Sequence, residues 1–430
     1  MERTDDRLRR GAVADGIRGA AANPSPAARW LARAAATAWL DRVSADIDLE
    51  IRERSVRLEL PPEGFEAAVA DEPDPVERAK IASRWERAES ELHVAREERL
   101  CAREAGASEV GPDGLVALSA VLEPSAPSEF ARDLERGAIE PLDAAVREAL
   151  RARRAAARVR LHGGASPADT PVFSALACHR HTLPATGLAP LLRRWGAMWG
   201  VDPDSGRLAL ARSRRTGWSV AGWIRARGPF LVTGCIDGPA GLARALGLLG
   251  ASARLAFLDE ARGEAGHWTD PAFPHAAETL FRRLMLEPSF RQRAGMHDGP
   301  DLGRALRNEE ALAPRLAWAY LSLAVHRLRP SGAAEVLERA TGRPVTPGQR
   351  AAVTEAGPSV TGLARGYVLA LLYEERLLTR FGRNWFFERA AGRTLREWWE
   401  AEPDVTASEM ASELGVDRME ATLILDRCRP

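Results

Sequence analysis

Apolar residues recur at helical spacing along nearly all of this chain, and that periodicity limits the fold more than any other feature in it. Between Pro26 and Arg57, Trp30, Leu31, Ala34, Ala38, Trp39 and Leu40 follow such a repeat. Asp74-Pro75 opens a long charged helix running through Arg103. In it Arg87 and Glu91 stand one turn apart, while Arg96 and Glu97 extend a polar face that reads as solvated. The same reasoning predicts helices at about 113–122, 126–137, 140–160, 239–258, 274–287, 301–328, 332–341, 347–355, 360–381 and 390–401, with two short ones from 406. One stretch breaks the rule. RLALARSRRTGWSVAGWIRARGPFLVTGC reads as two or three short strands with glycine turns. The expected fold class is all-α, with a small antiparallel sheet near residues 206–236.

Hydrophobic residues make up 45% of the 430, enough for a sizeable core. Residues 1–25 are polar and Gly/Ala-rich and read as a flexible, frayed N-terminus. PPEGFEAAVADEPDP is a loop, because clustered prolines and acids break both regular structures. The Gly/Pro/Ala stretch between Leu161 and Pro171 is the best internal boundary. It divides an N-terminal helical region, 26–160, from a second region, 172–430. No repeat of fixed period is visible.

Sixty basic and sixty acidic residues cancel, so total charge points neither to nucleic acid nor to an anionic membrane. Lys80 is the single lysine, a bias that a GC-rich genome explains. Cys101, Cys178, Cys235 and Cys428 are scattered and form no CxxC pair, which suits a reducing compartment. The charged first residues lack a signal-peptide apolar core, and no stretch reaches the ~20 apolar residues of a spanning helix. The expectation is a soluble cytoplasmic protein with no nucleic-acid or membrane partner.

From about residue 200 the order of elements is more specific. The strand run is followed by IDGPAGLARALGLLGASARLAFLDEARG, then by DPAFPHAAETLFRRLMLEPSF. The chain closes on GYVLALLYEERLLTRFGRNWFFERAAGRTLREWWEAEPDVTASEMASELGV. Over roughly residues 200–428 this resembles the M3-type zinc peptidases, the gluzincin group that includes oligoendopeptidases. That resemblance implies a helical body with a cleft, in which a short sheet precedes a helix carrying HExGH and a glutamate on the next helix completes the zinc site. Here Gly247-Leu248-Leu249-Gly250-Ala251 stands where HExGH would be. The resemblance thus puts Gly247 and Ala251 at the ligand positions and Leu248 at the general base. The third ligand falls at His275, or at Glu278 if the register slips by a turn. Zinc needs three or four protein ligands, and a catalytic pair of histidines must share one helix face. The site reads as erased, and no cofactor is expected, zinc included. Small residues in a helix interior let another helix pack closely; the alternative is an emptied cleft that still grips a peptide. The resemblance also puts Tyr367 and Tyr373 on a helix that faces the cleft. A tyrosine there stabilises an oxyanion only when zinc chemistry is present.

Other candidates carry less. Cys178, His179 and His181 form the densest set of metal-capable side chains, but adjacent residues point apart. His267 and His297 sit in Gly-rich segments beside Asp270, Asp298 and Asp301, where they read as solvated loop histidines. His326 lies in an apolar helix and reads as a core residue. The glycines of LVTGCIDGPAGLARALG follow a strand, yet neither GxGxxG nor GKS/T is present. VTASEMASELGVDRMEATLILDRCR has the outline of a helix-turn-helix, but Asp417, Glu420 and Asp426 offset Arg418 and Arg427. The leading expectation is an inactive M3-like homologue that binds a peptide or protein partner. The alternatives are an active metallopeptidase with a non-standard site and a regulatory protein with a C-terminal helix-turn-helix.

Overall fold

Two apolar cores organise the helices, one small and N-terminal, the other built from the rest of the chain. The computed structural model describes residues 2–22, 25–57, 72, 74–122, 127–144, 146–148, 192–196, 199, 209–216, 219–224, 228–235, 238–262, 269–296, 300–326, 330–341, 360–416 and 424. The smaller core is made by α1 (Glu2–Ala22), α2 (Pro26–Val43), α4 (Pro75–Glu109) and α5 (Gly114–Leu122), with α3 (Ala45–Arg57) against α4. The terminus expected to be frayed is helical, because Val13, Ile17 and Ala20, spaced as one stripe, are buried. The helix expected from Pro26 to Arg57 breaks at Ser44, whose hydroxyl turns back to the Leu40 carbonyl (3.1 Å) and to Asp48 (2.7 Å). Part of the charged face of α4 is a clasp. Arg99 reaches Asp48 and Arg103 reaches Asp41, each at 2.8 Å. Asp74 caps α4 by accepting from the Val76 N–H.

From Phe130 onward the side chains join the larger core. Helix α6 (Pro127–Leu134) runs into one π turn, Glu135–Ile139. Strands β1 (Ala209–Thr216), β2 (Ser219–Ile224) and β3 (Gly228–Cys235) follow. The expected antiparallel sheet is overturned, because β3 lies in the middle and pairs differently on its two sides. β2 is antiparallel to β3, with Ser219 opposite Thr233 and Ile224 opposite Gly228. β1 runs parallel to β3, with Ala209 opposite Phe230, and the register shifts between Arg212 and Thr216. Consecutive strands favour hairpins, but here β2 itself serves as the crossover that lets β1 pair in parallel.

Helix α7 (Gly238–Arg262) packs against β2 and β3. Its Gly241–Leu258 stretch is long and apolar enough to cross a bilayer, yet most of it is buried inside the protein, as in a core helix. Next come α8 (Ala272–Arg283), a 3-10 turn Leu284–Leu286, α9 (Pro288–Arg293), α10 (Pro300–Glu310), α11 (Ala313–His326) and α12 (Pro330–Thr341). The chain then forms α13 (Val360–Phe381), α14 (Arg389–Ala401) and α15 (Ala407–Glu413). The single helix expected over 301–328 is two, because the chain turns at Ala311 and Leu312. The helix expected at 347–355, the boundary at 161–171 and the second helix of the helix-turn-helix outline lie outside the described residues. Helix α8 is central, with α7 on one side and α13 on the other.

Candidate functional site

Glycines bring three helices together where the sequence places the erased site. A Cβ added at Gly247 of α7 would stand 2.9 Å from Cγ of Glu278 and 3.1 Å from its carbonyl oxygen. One at Gly250 would meet the Ala277 oxygen at 2.6 Å and Cγ of Phe281 at 2.7 Å. On the opposite side, Gly362 of α13 abuts Pro271, and Gly366 would place a Cβ 2.6 Å from that of His275. Helix α8 is therefore seated in glycine notches on both sides. At Gly250, Gly362 and Gly366 an added Cβ would run into backbone atoms, so no side chain larger than hydrogen fits there without moving a helix; at Gly247 the nearest atom is a side-chain carbon of Glu278.

What α8 leaves accessible is one stripe. Pro271, Pro274, His275, Glu278 and Arg282, in steps of three and four, are half-buried, while the residues between them are buried. Helix α7 presents a matching stripe of exposed Arg244 with half-buried Leu248, Ala251 and Leu255. The structure thus brings Gly247 against Glu278, with His275 one turn before it on α8 and Leu248 and Ala251 half-buried on α7. Burial pushes the His275 imidazole below its ordinary range; Glu278 pulls it back up, and Arg33, Arg254 and Arg282 press it further down.

The residues at the positions that the resemblance assigns to zinc do not fit the ion. Gly247, Leu248 and Ala251 carry no donor atom. A histidine at 247 reaching Glu278 through zinc needs an imidazole, the ion and two bonds of about 2 Å between the helices. A Cβ at 247 would stand only 3.1 Å from the Glu278 carbonyl oxygen, a closer approach of the two helices than that bridge calls for. Among the described residues, no group of three or more His, Cys, Asp or Glu side chains stands where it could hold a metal.

Buried charge surrounds the three helices, and the sequence reading passed over it. Arg283, at the end of α8, donates from Nε and Nη2 to Glu374 Oε2 (3.0 and 2.8 Å) and from Nη1 to Glu310 Oε1 (3.0 Å). Arg365 of α13 grips Asp270 with two bonds, 3.2 and 2.8 Å. Asp270 also accepts from the backbone N–H groups of Ala272 and Ala407, both at 3.0 Å, and so ties the starts of α8 and α15 together. Arg254 of α7 donates to Glu402 and to Thr269, both at 2.5 Å. A signal existed: an arginine within an apolar helical run, as in SARLAFL or GLARGYVLALL, needs a buried partner.

Tyr367 and Tyr373 are both interior. Tyr367 donates to Glu310 Oε1 at 2.7 Å and accepts from Arg283. Tyr373 stacks on Trp398 with ring centroids 4.9 Å apart, and its hydroxyl has no partner among the described residues. His267, His297, Cys178, His179, His181 and Asp298 lie outside the described residues, as do Asp417, Glu420 and Asp426.

No family model matches this chain, and no curated protein matches it either. Solved structures do. PZ peptidase A with inhibitor 2 superposes with a TM-score of 0.65 at 11% identity, over 98% of this chain and 83% of that one. Metallocarboxypeptidase 1 of Trypanosoma cruzi gives 0.56 at 12% identity, over 94% and 84%. The fold is peptidase-like. At such identity the likeness is one of architecture, and chemistry has to be argued from the side chains themselves.

Proposed function

We propose that this chain is a catalytically inactive relative of the M3-type zinc peptidases, a pseudopeptidase that works by binding a peptide or partner protein. The contact between Gly247 and Glu278 carries the reading. Glycine replaces the first ligand of the assigned register, and the helix contact it permits takes up the volume an ion and its imidazole would need. Leu248 replaces the base that would activate water, so proton transfer has no agent at that position. The accessible stripes of α7 and α8 remain as a surface for an extended chain. Elemental analysis of purified protein, paired with a quenched-fluorescence peptide-cleavage assay, tests the reading. The expected result is no stoichiometric zinc and no EDTA-sensitive cleavage. Near-stoichiometric zinc with cleavage that EDTA abolishes would overturn it.

A further inference from the structure

Two buried ion pairs at the start of α8 connect elements that lie far apart in the chain. Arg254 of α7 stands between Glu402 and Thr269, bonded to each at 2.5 Å. Thr269 is followed directly by Asp270, which holds Arg365 of α13 and the N–H groups that open α8 and α15. The side chains of Arg254, Glu402, Asp270 and Arg365 are at most 2% exposed. A buried charge that loses its partner is strongly destabilising, so the easier displacement is one in which the whole set moves as a body.

Glu402 opens the Glu402–Asp404 turn between α14 and α15, and α2 rests on that turn. Helix α2 belongs to a body with its own core. Inside that body Trp39 donates to the Gly106 carbonyl of α4 at 2.9 Å, and the Asp48–Arg99 and Asp41–Arg103 pairs clasp α2 and α3 to α4. Trp30 of α2 is 2% exposed yet belongs to neither apolar core. Ala32 faces the N-terminal core and stands roughly 200° round the helix from it. Trp30 is therefore on the other side of α2, and is the large side chain available for the contact with the turn. Its indole N–H is buried with no acceptor among the described residues, and Glu402 Oε1 is buried with no donor. Each of these atoms has lost water without gaining a bond, which favours parting of the two bodies.

We propose that the Glu402–Asp404 turn is a conformational relay: the seating of the N-terminal helices on it sets the position of the start of α8, and so of the accessible stripe that carries His275 and Glu278. The links run from α2 to the turn, from Glu402 to Arg254, from Arg254 to Thr269, and from Asp270 to the first turn of α8. The relay goes beyond the pseudopeptidase reading and does not depend on it, since it concerns how the stripe is placed and not what it binds. Coupling of this kind is reciprocal, so hydrogen exchange followed by mass spectrometry on the full-length protein tests it from both ends. Thr269→Val keeps the shape of the side chain and removes the bond from Arg254. Exchange is expected to quicken at least about fivefold in residues 402–413 and, away from the substitution, in residues 26–34 of α2. Trp30→Ala is expected to quicken residues 271–277 of α8 to a like degree, and Trp30→Phe, which keeps an aromatic ring in place, is expected to restore most of the protection. The end of α12 is the reference, because Arg315 holds its carbonyls at Arg339 and Ala340 and no link of the relay touches it. Acceleration confined to the substituted element, or spread equally over α12, would overturn the relay. Zinc-dependent peptide cleavage would overturn the pseudopeptidase reading and leave the relay standing.

Discussion

Gly250 and Phe281 meet backbone to ring, so that a Cβ at position 250 would stand 2.7 Å from the ring's Cγ and 2.6 Å from the Ala277 carbonyl oxygen. A side-chain ring can tilt; a helix carbonyl cannot. Gly250→Ala would gain about 1 kcal/mol of helix propensity and lose about 1–3 kcal/mol to overpacking. A net loss of stability is expected in urea unfolding. Gly16 of α1 is the control, since nothing lies within 4 Å of the added methyl. Gly16→Ala is expected to raise stability, by up to about 1 kcal/mol.

Asp270 has four bonds to make, two to Arg365 and two to helix-starting N–H groups. Asp270→Ala leaves the Arg365 guanidinium, 1% exposed, without its carboxylate. The expected cost is about 3–5 kcal/mol, read as a lower urea midpoint with an unchanged slope. A loss under about 1 kcal/mol would mean that α15 and α8 do not depend on this clamp.

Burial pushes the Glu402 carboxyl up to about 8, against the pull of Arg254 and with help from Asp270. An unfolded glutamate titrates near 4.5. Between those values the native protein holds a proton that the unfolded chain has released. Stability from this group is therefore fully present below 4.5 and is lost as pH rises through 8. Glu402→Gln, which cannot ionise, is expected to match wild type in acid and to exceed it in alkali by on the order of a few kcal/mol. Parallel pH curves for the two proteins would refute the assignment.

Glu310 titrates the other way. Burial pushes its carboxyl up, but Arg282, Arg283 and the Tyr367 hydroxyl together outweigh it and hold the group below its usual value. Its contribution is present above the unfolded value and is lost as pH falls through the depressed one. Tyr367→Phe removes the donor at 2.7 Å. It is expected to cost about 1.5–3 kcal/mol near neutrality and to bring acid unfolding on at a higher pH, which circular dichroism would follow.

Long apolar stripes were the most legible part of the chain. The helix read at 360–381 is Val360–Phe381, because every turn of it buries a large residue and glycine, not proline, interrupts it. That Gly247 and Glu278 would be neighbours was implied only by the M3 resemblance, not by any pattern within the two helices. What stayed hidden was pairing at a distance. Nothing in the alternation of β1 says that it will skip β2 and run parallel to β3. Nor does Arg283 advertise two carboxylates, on α10 and α13, that are 27 and 91 residues away. Helix breaks at Ser44 and at Ala311 depend on hydrogen bonds and packing that periodicity does not encode. The accessible stripe of α8 became visible only when α7 and α13 had covered its other faces.

The glycine notches around α8 have a consequence for how such a protein comes together. In a scaffold whose central helices are joined through a metal, assembly is coupled to ion supply, and removing the ion loosens the fold. Here van der Waals contact between α7, α8 and α13 does that joining at Gly247, Gly250, Gly362 and Gly366. On the pseudopeptidase reading, such a core is expected to assemble alike with and without zinc, so that EDTA would leave its thermal midpoint unmoved.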